Sequence, residues 1–296
     1  MSVPRDPREI AVRVGIYIAF YFVGIVLLTP ALVFIGNNLA GLTLPGFIAA
    51  LAANALAMRI YERLPITRIG LQPDQAAAVN LGLGLAGGVS AACAVLGLPM
   101  AFGLARLVPT PGEDAGLWSF LFVFTLLAFG AAGEEILFRG YGFQLLLYRW
   151  GPYVVIPPLA VVFAALHHVN PNASALGLVN TAGFGIVLGY AFVRSRDLWL
   201  PIGLHFGWNM TLPLLGANVS GFRMKVTGYA VEWNAGPLWS GGEYGPEASI
   251  LTSGILIALM LFLARAPVRR RISPLETEPY AIADAPPAPS SRPPRR

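Results

Sequence analysis

The stretch Phe129–Gly142, FGAAGEEILFRGYG, places two adjacent carboxylates and an arginine between segments that are almost entirely apolar. A carboxylate or guanidinium at the centre of a membrane helix costs about 2.5–3.5 kcal/mol on insertion scales. Such groups are therefore retained where they pair with one another or line a functional cavity. Glu134, Glu135 and Arg139 thus mark this stretch as the centre of a site inside a membrane protein.

The composition of the whole chain agrees with this interpretation. Hydrophobic residues make up 56% of the 296 residues, charged residues make up 12%, and the mean hydropathy is +0.65. A soluble domain carries about twice that charged fraction. The composition therefore predicts an all-α, polytopic bundle of transmembrane helices.

The apolar residues occur in blocks whose lengths are close to that of a bilayer span. Polar and turn-rich breaks divide these blocks into about eight predicted spans. The fourth span is predicted as one long helix through Arg149, and the site is expected among spans four, five and seven. The spans are 13–35, 42–58, 76–104, 116–149, 153–168, 175–193, 198–216 and 248–264.

The distribution of basic residues predicts the orientation, because loops rich in Lys and Arg stay on the cytoplasmic side. With the N-terminus inside, 17 of the 20 Lys and Arg residues fall on the cytoplasmic side. We therefore expect a multi-pass protein of the cell (inner) membrane with both termini in the cytoplasm. The net charge of +5 is interpreted as a topology signal and a match to membrane lipid, not as a sign of nucleic-acid binding.

Two regions lie outside the predicted helices. Residues 1–265 are predicted to form the bundle, and residues 266–296, rich in Pro and Arg, are predicted to be a disordered cytoplasmic tail because they cannot supply a core. Residues 217–247 form the largest predicted external loop, which could cap the bundle from outside.

Helical periodicity separates the roles of the two adjacent glutamates. Glu135 and Arg139 are spaced i and i+4 on one helical face, in the order that favours an ion pair. Glu134 is rotated by about 100° from Glu135, so it faces a different neighbour. We therefore predict that Glu135 is paired with Arg139 while Glu134 stays available. The small residues 130–133 should let another helix approach closely.

Two further pairs of polar or aromatic residues share a helical face. Phe163 and His167 are spaced i and i+4 in FAALH, and His205 and Asn209 have the same spacing in HFGWN. Polar groups in hydrocarbon find partners only in one another or in trapped water. The pattern favours a site, although a polar cluster that only fixes packing, or a proton relay, would use the same residue types. His168 points away from His167 and is not included.

Together these motifs resemble a known family. EEILFR fits E-E-x-x-x-R, FAALH fits F-x-x-x-H, and HFGWN fits H-x-x-x-N, in the same order on successive spans. The sequence resembles the CPBP family of intramembrane proteases, which includes the CAAX prenyl endopeptidases and the bacteriocin-processing and self-immunity proteins. The resemblance covers a protease-like core of about 117–215. The Gly-rich segment GGEYGPE, residues 241–247, is similar to one found in some bacterial members.

The residues suit glutamate-dependent peptide hydrolysis. Glu134, close to His167, could hold and deprotonate a water molecule, and His205 and Asn209 could present N–H donors to the developing oxyanion. The resemblance implies the same four catalytic residues, with Glu135 and Arg139 supporting the helix and Phe163 shaping the pocket. It also implies a membrane-associated or lipidated peptide substrate.

The same residues leave other functions open. Glu134, His167 and His205 could instead supply a carboxylate and two imidazoles to a zinc ion, although the chain has no H-E-x-x-H helix. A membrane transporter with a buried Glu/His proton relay and a non-catalytic membrane scaffold are the alternative functions.

Overall fold

The computed structural model describes residues 6–33, 38–111, 116–272 and 275. Long helices dominate these residues, and two short strands pair outside them. The elements in chain order are α1 (Pro7–Val33), α2 (Asn38–Ala57, continued by a π turn Met58–Glu62), α3 (Gln75–Ala101), β1 (Ala105–Pro109), α4 (Leu117–Arg139), α5 (Tyr141–Trp150), α6 (Pro152–Leu166), α7 (Ala175–Ser195), α8 (Trp199–Leu214), β2 (Tyr229–Trp233), the one-turn α9 (Pro237–Ser240) and α10 (Ile250–Arg265).

The predicted all-α membrane bundle is confirmed. Six helical segments within the described residues are long and apolar enough to cross a membrane, and they coincide with predicted spans one to six. The segments predicted as spans seven and eight are the helices α8 and α10. Each has 16 residues and is therefore about 24 Å long, somewhat shorter than a full hydrocarbon crossing.

The fourth predicted span is broken rather than continuous. The helix stops at Gly140, and α5 begins one residue later. The side chain of Asn54 on α2 replaces the lost helical contacts: its Oδ1 accepts from Tyr141 N at 2.8 Å, and its Nδ2 donates to Ile136 O at 3.0 Å. The prediction of a single helix through Arg149 is therefore wrong. Glu134 lies only about 9 Å along the helix from the break.

Close helix packing holds the parts of the bundle that carry the predicted site residues. The backbone of α2 passes directly over Gly133 of α4, where an added Cβ would lie 3.0 Å from Phe47 Cα. This contact confirms that the small residues before Glu134 admit a neighbouring helix. On the other side, α3 and α8 approach backbone to backbone through glycines on both helices, which fixes the position of His205 and Asn209: Gly84, Gly88, Gly203 and Gly207.

The two strands form a small antiparallel sheet that joins distant loops. Ala105 pairs with Trp233 and Pro109 with Tyr229. An exposed ion pair between Arg106 and Glu232 links the same strands, with Nη2 3.0 Å from Oε2. Strand β2 belongs to the predicted external loop, whereas β1 was not predicted. Its pairing partner is more than 100 residues away, and no local pattern indicates it.

The structure describes the first seven residues of the predicted tail, 266–272. Residues 266–272 are extended and held against the bundle, because Arg269 N donates to Asn80 Oδ1 at 2.9 Å and Arg271 N donates to Ser195 O at 2.8 Å. The Arg271 side chain also pairs with the buried Asp197 at 3.3 Å. The remainder of the predicted tail, apart from residue 275, lies outside the described residues.

Candidate active site

A cavity of about 390 Å³ lies between the helices at the level of Glu134. All four predicted catalytic residues line it: Glu134 from α4, His167 from the end of α6, and His205 and Asn209 from α8. Phe47 on α2 and Phe222 in the external loop contribute apolar wall. The structure thus brings together groups that lie up to 75 residues apart in the sequence.

Glu134 lies between the two imidazole rings. Its Oε2 atom is 3.9 Å from Nε2 of His167 and 3.9 Å from Nε2 of His205. These separations are too long for direct hydrogen bonds, and they suit a bridging water molecule. Glu134 Oε2 is buried and makes no hydrogen bond to the described residues. The carboxylate is therefore placed to act on a small molecule held between the three side chains.

The outer nitrogen of each ring is already engaged, which determines how the inner nitrogen faces the cavity. His167 Nδ1 lies 2.8 Å from Phe163 O, and a carbonyl oxygen can only accept, so Nδ1 carries a proton and donates. His205 Nδ1 lies 2.9 Å from Glu135 Oε1 and donates to that carboxylate. In the neutral rings both Nε2 atoms are therefore acceptors directed at Glu134.

Glu135 has a partner in addition to the predicted one. Arg139 Nη1 donates to Glu135 Oε1 at 3.1 Å, which confirms the i, i+4 pair, and Arg139 Nη2 donates to Gly185 O of α7 at 3.0 Å. The same Glu135 oxygen accepts from His205. Glu135 is fully buried. Its carboxylate both pairs with Arg139 and orients the imidazole of His205.

Phe163 is the centre of the aromatic packing beside the cavity. Its ring lies 4.6 Å from the ring of His167 and 6.2 Å from that of His205, measured between centroids. The guanidinium of Arg139 lies 5.2 Å above the same ring. Phe163 therefore contacts three of the side chains at the site, and its supporting role stays a prediction. His168, which was not included in the predicted site, is exposed and contacts Ala165 O.

Comparison with known proteins bears on the segment that carries these residues. Residues 116–211 match the model of a family described as Rce1-like, type II CAAX prenyl endopeptidase Rce1-like. The resemblance to the CAAX proteases is confirmed. No curated protein and no solved structure matches the chain.

The CAAX-protease-like segment, residues 116–211, covers α4 to most of α8, about a third of the chain. It contains every predicted catalytic and supporting residue. The helices α1, α2, α3 and α10 lie outside the CAAX-protease-like segment, although α2 closes one side of the cavity.

One cavity residue outside the CAAX-protease-like segment was missed by the sequence analysis. Glu247 lines the same cavity and is 7% exposed, and Trp208 Nε1 donates to its Oε1 at 3.2 Å. Burial raises the pKa of Glu247, while hydrogen bonds from Ser220 and Trp208 and the charge of His167 act in the opposite direction. Its only signal in the sequence is the GGEYGPE segment, which local periodicity does not connect to the site.

The zinc hypothesis concerns the side chains of Glu134, His167 and His205. The described residues contain no group of three or more His, Cys, Asp or Glu side chains with a geometry that could hold a metal ion. Glu134, His167 and His205 are donors of types that zinc accepts. Zinc dependence stays a prediction.

Proposed function

We propose that this chain is an intramembrane endopeptidase that hydrolyses a peptide bond of a membrane-associated substrate, with Glu134 activating the attacking water. The observation that carries the proposal is the position of Glu134 Oε2, 3.9 Å from the Nε2 atoms of both His167 and His205. A water molecule between these three atoms can donate to the carboxylate and to an imidazole nitrogen. The match of the surrounding segment to the CAAX proteases supports the same reaction class.

The carboxylate of Glu134 serves as the general base. It takes a proton from the bound water as the oxygen attacks the peptide carbonyl, and it can return that proton to the leaving amine when the C–N bond breaks. His167 keeps the water in place through Nε2, because its own Nδ1 is fixed by Phe163 O. The products are a new carboxylic acid and a new amine.

Donors on α8 stabilise the negative charge that develops on the peptide oxygen. Asn209 supplies amide N–H donors, and His205 supplies an Nε2–H once its ring is protonated. The buried Glu135 carboxylate, 2.9 Å from His205 Nδ1, stabilises that imidazolium. Two donors one helical turn apart on α8 can therefore act on one oxygen, which is the arrangement required of an oxyanion hole.

A cleavage assay with the purified full chain in lipid vesicles tests the function. The probes are two peptide libraries, one bearing a farnesylated cysteine near the C-terminus and one anchored by an apolar helix. We expect new termini by mass spectrometry, and one ¹⁸O atom in each new carboxylate when the reaction is run in H₂¹⁸O. A chelator added in a parallel reaction tests zinc dependence.

Two outcomes would contradict the endopeptidase. Proton flux across the vesicle membrane without cleavage of either library would favour the transporter. Saturable binding of a library without cleavage or flux would favour the scaffold. If only the farnesylated library is cleaved, the substrate is a lipidated peptide, whereas cleavage of the helix-anchored library shows that no prenyl group is needed.

We also propose that the protein lies in the cell inner membrane with both termini in the cytoplasm, as the distribution of Lys and Arg predicts. Reporter fusions at Pro111 and at Ala283 should then report the external and the cytoplasmic side, respectively. Signals from the same compartment would contradict this topology, whatever the outcome of the cleavage assay.

A further inference from the structure

The Gly-rich segment 241–247, GGEYGPE, has no role in the mechanism described above, and it lies outside the CAAX-protease-like segment. In the structure it forms a compact loop between β2 and α10 that contains two short 3₁₀ turns, Gly242–Tyr244 and Pro246–Ala248. The last residue of the segment is Glu247, whose side chain lines the cavity.

Several contacts fix the backbone of the Gly-rich segment 241–247. Asn180 Nδ2 on α7 donates to Glu247 O at 2.8 Å and to Ser249 O at 2.9 Å, and Gly221 N donates to Tyr244 O at 2.8 Å. Gly245 has φ +108°, and an added Cβ there would lie 2.6 Å from Asn218 O. The Gly-rich composition thus allows the left-handed backbone and the close approach that place Glu247.

The Glu247 carboxylate joins two parts of the cavity wall. Its Oε1 accepts from Trp208 Nε1 at 3.2 Å, and its Oε2 accepts from Ser220 N. The Ser220 hydroxyl lies 3.3 Å from Oε1. One buried side chain therefore connects α8 to the loop residues 219–222, of which Val219, Ser220 and Phe222 line the cavity.

Trp208 links the fixed carboxylate of Glu247 to the part of α8 that carries the active-site residues. It is 2% exposed, packs against Phe184 with 4.7 Å between ring centroids, and lies between His205 and Asn209 on α8. Fixing the indole N–H restricts rotation of this turn of the helix. That rotation sets the direction in which His205 and Asn209 present their donors to the cavity, where small misplacements reduce catalysis strongly.

We propose that Glu247 is a positioning residue of the active site. Through its bond to Trp208 it fixes the turn of α8 that carries His205 and Asn209. Through its bond to Ser220 it holds residues 219–222 in the cavity wall. The inference rests on the proposed endopeptidase function for its catalytic consequence. Its structural part, the link between loop and helix, stands independently of the reaction.

The test compares Glu247→Gln with the matched control Glu243→Gln, since Glu243 lies in the same segment but is exposed. In Glu247→Gln one carboxylate oxygen is replaced by an NH₂ donor, which must face either the Trp208 or the Ser220 N–H group. We expect kcat per folded molecule to fall about 10-fold with a smaller change in KM, because transition-state donors are displaced. The control should keep the wild-type values.

A double-mutant cycle distinguishes a specific effect of the Glu247–Trp208 bond on kcat from an unspecific disturbance of the fold. The cycle uses Glu247→Ala, which removes both acceptor oxygens. Trp208→Phe removes the indole donor, and its effect on kcat should not multiply with that of Glu247→Ala, because both variants then break the link between residue 247 and α8. Hydrogen exchange of the peptide covering residues 217–222 should be faster in Glu247→Gln and unchanged in Glu243→Gln. Should Glu247→Gln fail to fold, Trp208→Phe alone must lower kcat, because it removes the bond from α8 to Glu247.

The proposal is overturned if Glu247→Gln leaves both kcat and the exchange of residues 217–222 at wild-type levels. Multiplicative losses in the double variant would equally refute it. If the wild-type chain cleaves neither peptide library, the proposed function fails, and the exchange measurement alone still decides whether Glu247 holds the loop to α8.

Discussion

The variant Glu134→Gln is expected to lower the rate of peptide hydrolysis by about 10²-fold or more while the protein inserts and purifies normally. Glutamine keeps the size and the hydrogen-bonding capacity of the side chain but cannot take the proton from water. Folding should be little affected, because Glu134 Oε2 makes no hydrogen bond to the described residues. The measurement is the initial rate of cleavage in vesicles, normalised to folded protein.

Two further variants sharpen this experiment. Glu232→Gln removes an exposed carboxylate from strand β2, which is not among the residues that line the cavity, and should keep the wild-type rate. Glu134→Asp keeps a base but withdraws it by about one C–C bond, so a partial rate is expected. Cleavage by Glu134→Gln at the wild-type rate would show that another group activates the water.

The largest loss of stability is expected for Glu135→Gln. Its carboxylate is fully buried and accepts from both Arg139 and His205, so the substitution leaves a buried guanidinium without its charge partner. Breaking a buried ion pair from one side costs about 3–5 kcal/mol. The measurement is the free energy of unfolding in detergent, with helix content followed as denaturant is added.

The matched control uses the exposed ion pair of the external sheet. Arg106 and Glu232 are 64% and 47% exposed, so Glu232→Gln should leave the free energy of unfolding nearly unchanged. Equal stability of Glu135→Gln and Glu232→Gln would contradict the structural role of Glu135. The folded fraction of Glu135→Gln should also cleave more slowly, since His205 loses the carboxylate that stabilises its imidazolium. The sequence alone predicted the loss of stability in Glu135→Gln but not the slower cleavage by the folded fraction.

The sequence predicted those features that depend on one helix at a time. The apolar composition and block lengths indicated the membrane bundle, because hydrocarbon requires helices whose backbone groups are satisfied internally. The pair Glu135–Arg139 and the contact between the rings of Phe163 and His167 follow from the i, i+4 geometry of a single helix. The same geometry turned Glu134 away from Arg139, as the structure shows.

Features that depend on contacts between distant segments were not available from such patterns. The break of α4 at Gly140 is completed by Asn54, which lies 87 residues from its partner Tyr141. The contact between Glu135 and His205 spans 70 residues, and Glu247 reaches Trp208 across 39. Each depends on which helix faces are packed together, and no local period encodes that choice.

By itself, then, the sequence determined a membrane bundle and the residues of the candidate site, since helical period and apolar blocks are fixed by local backbone geometry. Only the tertiary structure decided that Glu134 meets both imidazoles, that Glu135 orients His205, and that Glu247 adjoins the same cavity. These distances are set by the packing of α2, α4, α6 and α8 and of the external loop against one another. That packing is the joint result of small-residue contacts, buried ion pairs and capping side chains spread over the whole chain.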